Sequence, residues 1–279
     1  MKERYSVVAG AFYENSPSRL KSQIEGCFLN PYGPGELPKL PISKRLENSI
    51  GVMVPHAGYI YSGPVASHAY FEISRMGFPD IVVAIGPNHT GYGKPIGVYD
   101  GDAWVTPLGR VEVATDITHE LASHCEFASL DALSHKYEHS IEVQLPFLQY
   151  IYGNSFSIVP ICMMDQHLRV AKGLSKCLKE ILSEKVVLIV ASSDMDHYED
   201  HETVVEKDKK VLEKIEVLDT EGMYEEIKKN HVTMCGYGPV SVAMNYGFPG
   251  ARLLKHATSG DITGDKTKVV GYAAVLFSS

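Results

Sequence analysis

The chain has 279 residues, 44% of them hydrophobic and 22% charged, with a formal net charge of -8. That suffices for one large α/β domain or two small ones, with a core of ordinary size. No block of Lys/Arg stands out and no apolar run approaches the ~20 residues of a spanning helix, so a nucleic-acid footprint, membrane-surface attachment and a membrane span are not expected.

The elements follow one another at α/β spacing. A first strand is predicted from Ser6 to Ala11 and a helix from Pro17 to Phe28. The Pro- and Gly-rich stretch Asn30 to Pro41 reads as a surface loop. Asn48 to Val54 is the second strand, and a helix follows from about Gly63 to Met76, with Pro64 in its first turn. Asp80 to Ile85 is the third strand, so His56 to His89 spans one strand–helix–strand unit, long enough for a parallel crossover. Asp102 to Val113 reads as short strands around Pro107-Leu108-Gly109. Helices are predicted from Thr115 to His124 and Ser140 to Ile151. Phe156 to Cys162 is a strand, His167 to Leu182 a helix, and Val186 to Ala191 a strand. His201 to Ile227 is helical with a break near Asp219, and Pro239 to Tyr246 is a further helix. Arg252 to Thr258 and Val269 to Phe277 close the sheet and can be antiparallel. No composition shift marks a boundary, so residues 1–279 read as a single layered α/β domain, a central mostly parallel or mixed sheet flanked by helices.

The N-terminal Met1-Lys2-Glu3-Arg4-Tyr5 leads into a Val7-Val8-Ala9 patch too short for a signal sequence, so a cytoplasmic protein is expected. Five widely spaced cysteines without a CxxC pair argue against a disulfide framework or zinc ribbon.

Chemistry gathers where apolar runs break into turns. Val52-Met53-Val54 runs into Pro55-His56-Ala57-Gly58, and Val83-Ala84-Ile85 into Gly86-Pro87-Asn88-His89. Ligands of open α/β sheets bind beyond the carboxyl ends of the strands. Each histidine either satisfies a backbone carbonyl or serves as a ligand. Two on neighbouring strands strengthen the ligand reading, because neutral imidazole is the commonest metal ligand. Cys235 precedes a helix starting near Pro239, a position that lowers a thiol pKa, or it is a buried cysteine in a glycine turn. Asp194 and His197 end a third run; Asp194 either caps a helical turn or orients His197 for proton transfer. His139 and Glu142, three apart at an apparent helix start, face the same way and either cap that helix or form a second shell around the histidines.

Six motifs in order resemble the MEMO family. They are Pro55-His56-Ala57-Gly58-Tyr59 with Tyr61-Ser62-Gly63, Gly86-Pro87-Asn88-His89, Thr106-Pro107-Leu108-Gly109, Glu138-His139-Ser140-Ile141-Glu142, Ser192-Ser193-Asp194 with His197, and Cys235-Gly236 before Pro239. The likeness runs from Ala9-Gly10 to Gly271-Tyr272-Ala273-Ala274. It implies a fold like class III extradiol dioxygenases, which hold non-haem Fe(II) with two histidines and a glutamate. It implies a metal site of His56, His89 and Cys235, with Asp194 and His197 lining the pocket. A thiolate in place of the carboxylate favours a softer choice among Fe(II), Cu and Zn, and puts ring-cleaving oxygenation in doubt. Family gene neighbourhoods imply radical-SAM and AMMECR-type proteins as partners.

Two functions are therefore expected to compete. One is a metal-dependent, redox enzyme on an unidentified small molecule, with His197 as general acid/base and Asp194 as its orienting partner or a substrate contact. The other is a non-catalytic adaptor that uses the same cleft for a peptide or partner protein. Phosphopeptide readers supply an Arg cluster, and the motifs here lack one.

Overall fold

A computed structural model describes residues 2–278. The first strand is Glu3–Tyr5 (β1), not Ser6 to Ala11. The latter segment turns instead, because the Glu142 carboxylate takes up the backbone N–H groups of Val7 and Val8 that a strand would need. Pro17–Leu29 (α1) and Ile50–Val54 (β2) follow, then Tyr59–Met76 (α2). The Gly58 carbonyl accepts from Tyr61 and Ser62, closing a turn ahead of the predicted start. Pro64 therefore lies inside α2 rather than in its first turn.

Ile81–Pro87 (β3) and Ile96–Val98 (β4) precede a hairpin of Ala103–Thr106 (β5) and Gly109–Val113 (β6). Thr115–His124 (α3) and Ser129–Leu130 (β7) come next. The helix predicted from Ser140 is a 3-10 turn at Glu142–Gln144 leading into Leu145–Tyr152 (α4). Ser157–Met163 (β8), Leu168–Ile181 (α5), Val187–Ser192 (β9) and His197–Glu199 (β10) continue the chain. His201–Glu216 (α6) and Thr220–Lys229 (α7) are separated at Asp219, whose side chain accepts from Gly222 N and caps α7. Tyr237–Asn245 (α8), Gly250–Thr258 (β11), Ser259–Thr263 (α9) and Val269–Ser278 (β12) complete it.

The strands form one 12-stranded mixed sheet with the path β1-β5-β6-β8-β3-β9-β2-β12-β10. Strands β6, β8, β3, β9 and β2 are mutually parallel, while β12 runs antiparallel to β2 and to β11. The fully buried β3 shows why the core has two halves. Val83 and Ile85 pack on one face of the sheet and Val82 and Ala84 on the other, as the two-residue side-chain period of a strand requires. Helices cover both faces, so both residues of each alternating pair are apolar.

The strand order corrects one expectation. The histidines do not follow neighbouring strands, because β9 lies between β3 and β2. All three strands are parallel, so their carboxyl ends still open on one edge. No helix among the described residues is long and apolar enough to cross a membrane.

Candidate metal centre

His56 follows β2 and His89 follows β3. Their ring centroids are 5.1 Å apart, and the His139 ring lies 5.5 Å from the first and 4.8 Å from the second. One nitrogen of each of these three imidazoles lies within 4.8 Å of the others. Among the described residues this is the group of three ionisable side chains placed to hold a metal ion.

His56 is 2% exposed, and its tautomer follows from its neighbours. Tyr70 OH donates to Gln144 Oε1, which aims the Gln144 amide N–H at Ser192 Oγ, 2.9 Å away. The Ser192 hydroxyl spends its single proton on Ser140 O. It can only accept from His56 Nδ1, 2.8 Å away, so that nitrogen carries the proton and Nε2 carries the lone pair. Nε2 faces Cys235 Sγ at 3.2 Å. Burial, then the neighbouring His89 and His139, hold the His56 pKa well below the usual range. A neutral ring with a free lone pair is the ligand form of histidine.

Glu138 performs the corresponding service for His89. Its Oε1 lies 2.9 Å from His89 Nδ1, and its Oε2 accepts from the His89 backbone N–H. The same carboxylate accepts from the backbone N–H groups of His139 and Ser140, so it organises the whole turn. Burial opposes both charges of the pair. Even so, the contact raises the His89 pKa and lowers Glu138 to about 2. The sequence reading passed over Glu138, although metal-binding histidines commonly donate their other ring N–H to a carboxylate.

Cys235 meets His56 but is not among the three side chains whose ligand atoms lie mutually within 4.8 Å, and its thiol is not a lowered one. Its Sγ accepts from Asp194 N at 3.2 Å. Burial, then the charge of Asp194, push the thiol pKa up, and these outweigh the start of α8. Asp194 is also placed differently from expectation. Its Oδ1 accepts from His56 N at 2.8 Å, bracing the turn after β2. Burial raises its pKa to about 6. The orienting partner of His197 is Thr233. The His197 N–H donates to Thr233 Oγ1 at 2.8 Å and its Nδ1 lies 3.4 Å from the same oxygen, while Thr233 is anchored on the buried Asp196. His197 is near enough for its charge to act on Asp194 and His56.

The expected partnership of His139 and Glu142 is divided. His139 stands in the ring cluster, against Phe12 at 4.8 Å. Glu142 sends its oxygens to Arg4, Val7, Val8 and Tyr13. A same-face argument needs a helix, and the chain becomes a 3-10 turn only at Glu142.

Glu138→Gln is expected to lower metal affinity by about 10–100-fold, the usual cost of losing a second-shell carboxylate. Anaerobic titration with Zn(II) reads this, and unchanged affinity would show that Glu138 does not orient the ligand. The variant also loses pH-dependent stability. The Glu138 contribution is present above its ordinary 4.5 and lost as pH falls through about 2. The His89 contribution is full below its ordinary 6.5 and lost as pH rises through its raised value.

The sequence matches the family described as Memo-like protein over residues 4–276. A MEMO1 family protein of Thermotoga neapolitana is 51% identical, the match covering 99% of both chains. Another, of Saccharolobus islandicus, is 46% identical over 99% of this chain and 100% of its own length. Among solved structures, an uncharacterized protein of Escherichia coli K12 shares the fold, with a TM-score of 0.58 at 11% identity over 83% of this chain and all of that one. A family match over residues 4–276 and relatives about half identical over nearly the whole chain together place this chain in the Memo-like family.

Proposed function

We propose that the protein is a metal-dependent enzyme acting on a small molecule, with His56, His89 and Cys235 as ligands and His197 as general acid/base. The observation that carries this reading is the convergence of three imidazole nitrogens within 4.8 Å, beside a thiol 3.2 Å from one of them. The donor set fits a transition metal. His56 presents an unprotonated nitrogen, and Glu138 occupies His89 Nδ1 and leaves Nε2 for coordination. Two nitrogens and a sulfur suit zinc, copper or iron better than a hard cation. His139 stands within reach as an alternative third ligand.

A bound metal ion would supply Lewis-acid or one-electron chemistry at this edge of the sheet. The protein's own groups account for the rest. As a ligand, the Cys235 thiol would have to be deprotonated. Asp194, raised to about 6 by burial, holds Cys235 Sγ through its backbone N–H and the His56 backbone through its carboxylate. His197, held by Thr233 and near enough for its charge to act on Asp194 and His56, would take or return a proton of the substrate. Phe12 closes one side of the ring cluster.

The test is metal content after anaerobic purification without chelator, made on wild type and His197→Ala. Wild type is expected to hold close to one transition-metal ion per chain. His197→Ala should keep it with affinity changed less than about 3-fold, and should lose about 10²–10⁴-fold in rate with any substrate found. A folded His197→Ala protein without metal would make His197 a ligand. A wild type that takes up none of Fe(II), Cu(I) or Zn(II) would overturn the enzyme reading in favour of a binding module.

A further inference from the structure

The end of α3 lies along one face of α5, and the contacts between them run in step. His124 Nε2 is 2.8 Å from Glu180 Oε2. Cys125 and Cys177 fall between that contact and the next, and Cys125 is close enough to act on the Cys177 thiol. The Phe127 ring covers Gly173 so closely that a Cβ there would collide with it, and the Arg169 guanidinium sits 5.6 Å from the centre of the same ring. Glu180, Cys177, Gly173 and Arg169 are three or four residues apart, one stripe of α5. His124, Cys125 and Phe127 meet that stripe in order. Cys125 is 1% exposed and belongs to the core, while Cys177 is half-buried and packs against it. Both are free thiols.

We propose that Cys125 and Cys177 form a two-electron oxidation site, which a small-molecule disulfide converts to a cystine strapping the end of α3 to α5. Cys177 is the point of entry because it reaches the surface. Its thiol loses a proton, and the thiolate attacks one sulfur of the reagent. One reagent thiolate leaves and a mixed disulfide remains on Cys177. Cys125 then loses its proton and attacks Cys177 Sγ; the protein S–S bond forms and the second reagent thiolate leaves. Two protein thiols are oxidised, one reagent disulfide is reduced to two thiols, and the two protons pass to the departing thiolates. The cystine requires the two sulfurs to meet at about 2.05 Å. Burial and the neighbouring Cys125 and Glu180 push the Cys177 thiol up to about 12, so reaction is slow at neutral pH and faster in mild alkali. The cystine would close a loop of about 50 residues, long enough for the bond to stabilise the fold.

The experiment uses the full chain refolded in a glutathione redox buffer at mildly alkaline pH. Titratable thiols should fall from the five of the sequence to three. Peptide mapping should join Cys125 to Cys177, and the melting temperature should rise by about 5 °C, reversibly with a reductant. Cys177→Ser should keep its four thiols, Cys125→Ser should stop at the glutathione mixed disulfide on Cys177, and neither should show such a rise. Five thiols in the refolded wild type, a cystine between any other pair, or glutathione held on Cys177 alone would each overturn the proposal. These outcomes are read on wild type, so they stand even if a variant fails to fold. They are independent of the metal centre.

Discussion

His56→Ala should lower affinity for a transition metal by at least about 100-fold. Loss of a second-shell group alone costs ~10–100-fold, and His56 is where several supports converge. Ser192 and Gln144 fix its tautomer, Asp194 holds its backbone, and its free nitrogen faces Cys235. All of that order serves one unprotonated nitrogen on a buried ring. Anaerobic titration with Zn(II) and Cu(I), with circular dichroism to verify folding, measures the effect. The same titration identifies the third ligand. Cys235→Ser is expected to lose about as much as His56→Ala, and His139→Ala about 10-fold. The reverse order would give a site of three imidazoles with the thiol beside it. Reduced Cys125→Ser and Cys177→Ser are the controls, since both thiols lie at the contact of α3 and α5. A His56→Ala protein that binds metal as wild type does would remove the metal centre altogether.

How much of this was legible in the sequence depends on whether a residue's task is local. The β-branched runs of β2, β3 and β9 announce themselves because buried parallel strands need continuous apolar character. Thr115–His124 falls where its periodicity places it, and the break at Asp219 is readable because an N-cap side chain acts within its own turn. Strand order was not legible. Nothing in the His56 to His89 segment says that β9 will enter between its two strands. Glu138 was missed for a similar reason. Its two oxygens serve four groups on two segments, and neighbouring residues do not reveal such a role. Cys235 shows a local rule overridden, since burial beside Asp194 outweighs the helix terminus. Cys125 and Cys177 show a contact that spacing conceals, because two distant cysteines meet only once α3 lies on α5.

The long-range contact with the largest expected energy is also hidden in the sequence. Arg4 is 6% exposed and Glu142 1%, and Arg4 Nη1 lies 2.8 Å from Glu142 Oε2. Every remaining polar group of the pair has a partner. Arg4 donates to the carbonyls of His135 and Glu138, both at 2.6 Å, and lies 4.0 Å over the Trp104 ring. Glu142 accepts from the N–H groups of Val7 and Val8 and from Tyr13 OH. A satisfied buried pair of this kind is not by itself strongly stabilising, but removing one member strands the other charge out of water. Glu142→Leu is therefore expected to cost about 3–5 kcal/mol in urea unfolding at neutral pH. Arg4→Met/Glu142→Leu should recover part of that loss, since neither charge is then stranded. The carbonyls that Arg4 grips flank the turn presenting Glu138 and His139. Weakened metal binding should thus accompany Arg4→Met even where the protein remains folded, because the turn loses its anchor while all ligands are kept. A loss below about 1 kcal/mol for Glu142→Leu, or single-mutant effects that simply add in the double mutant, would show that the pair is not coupled.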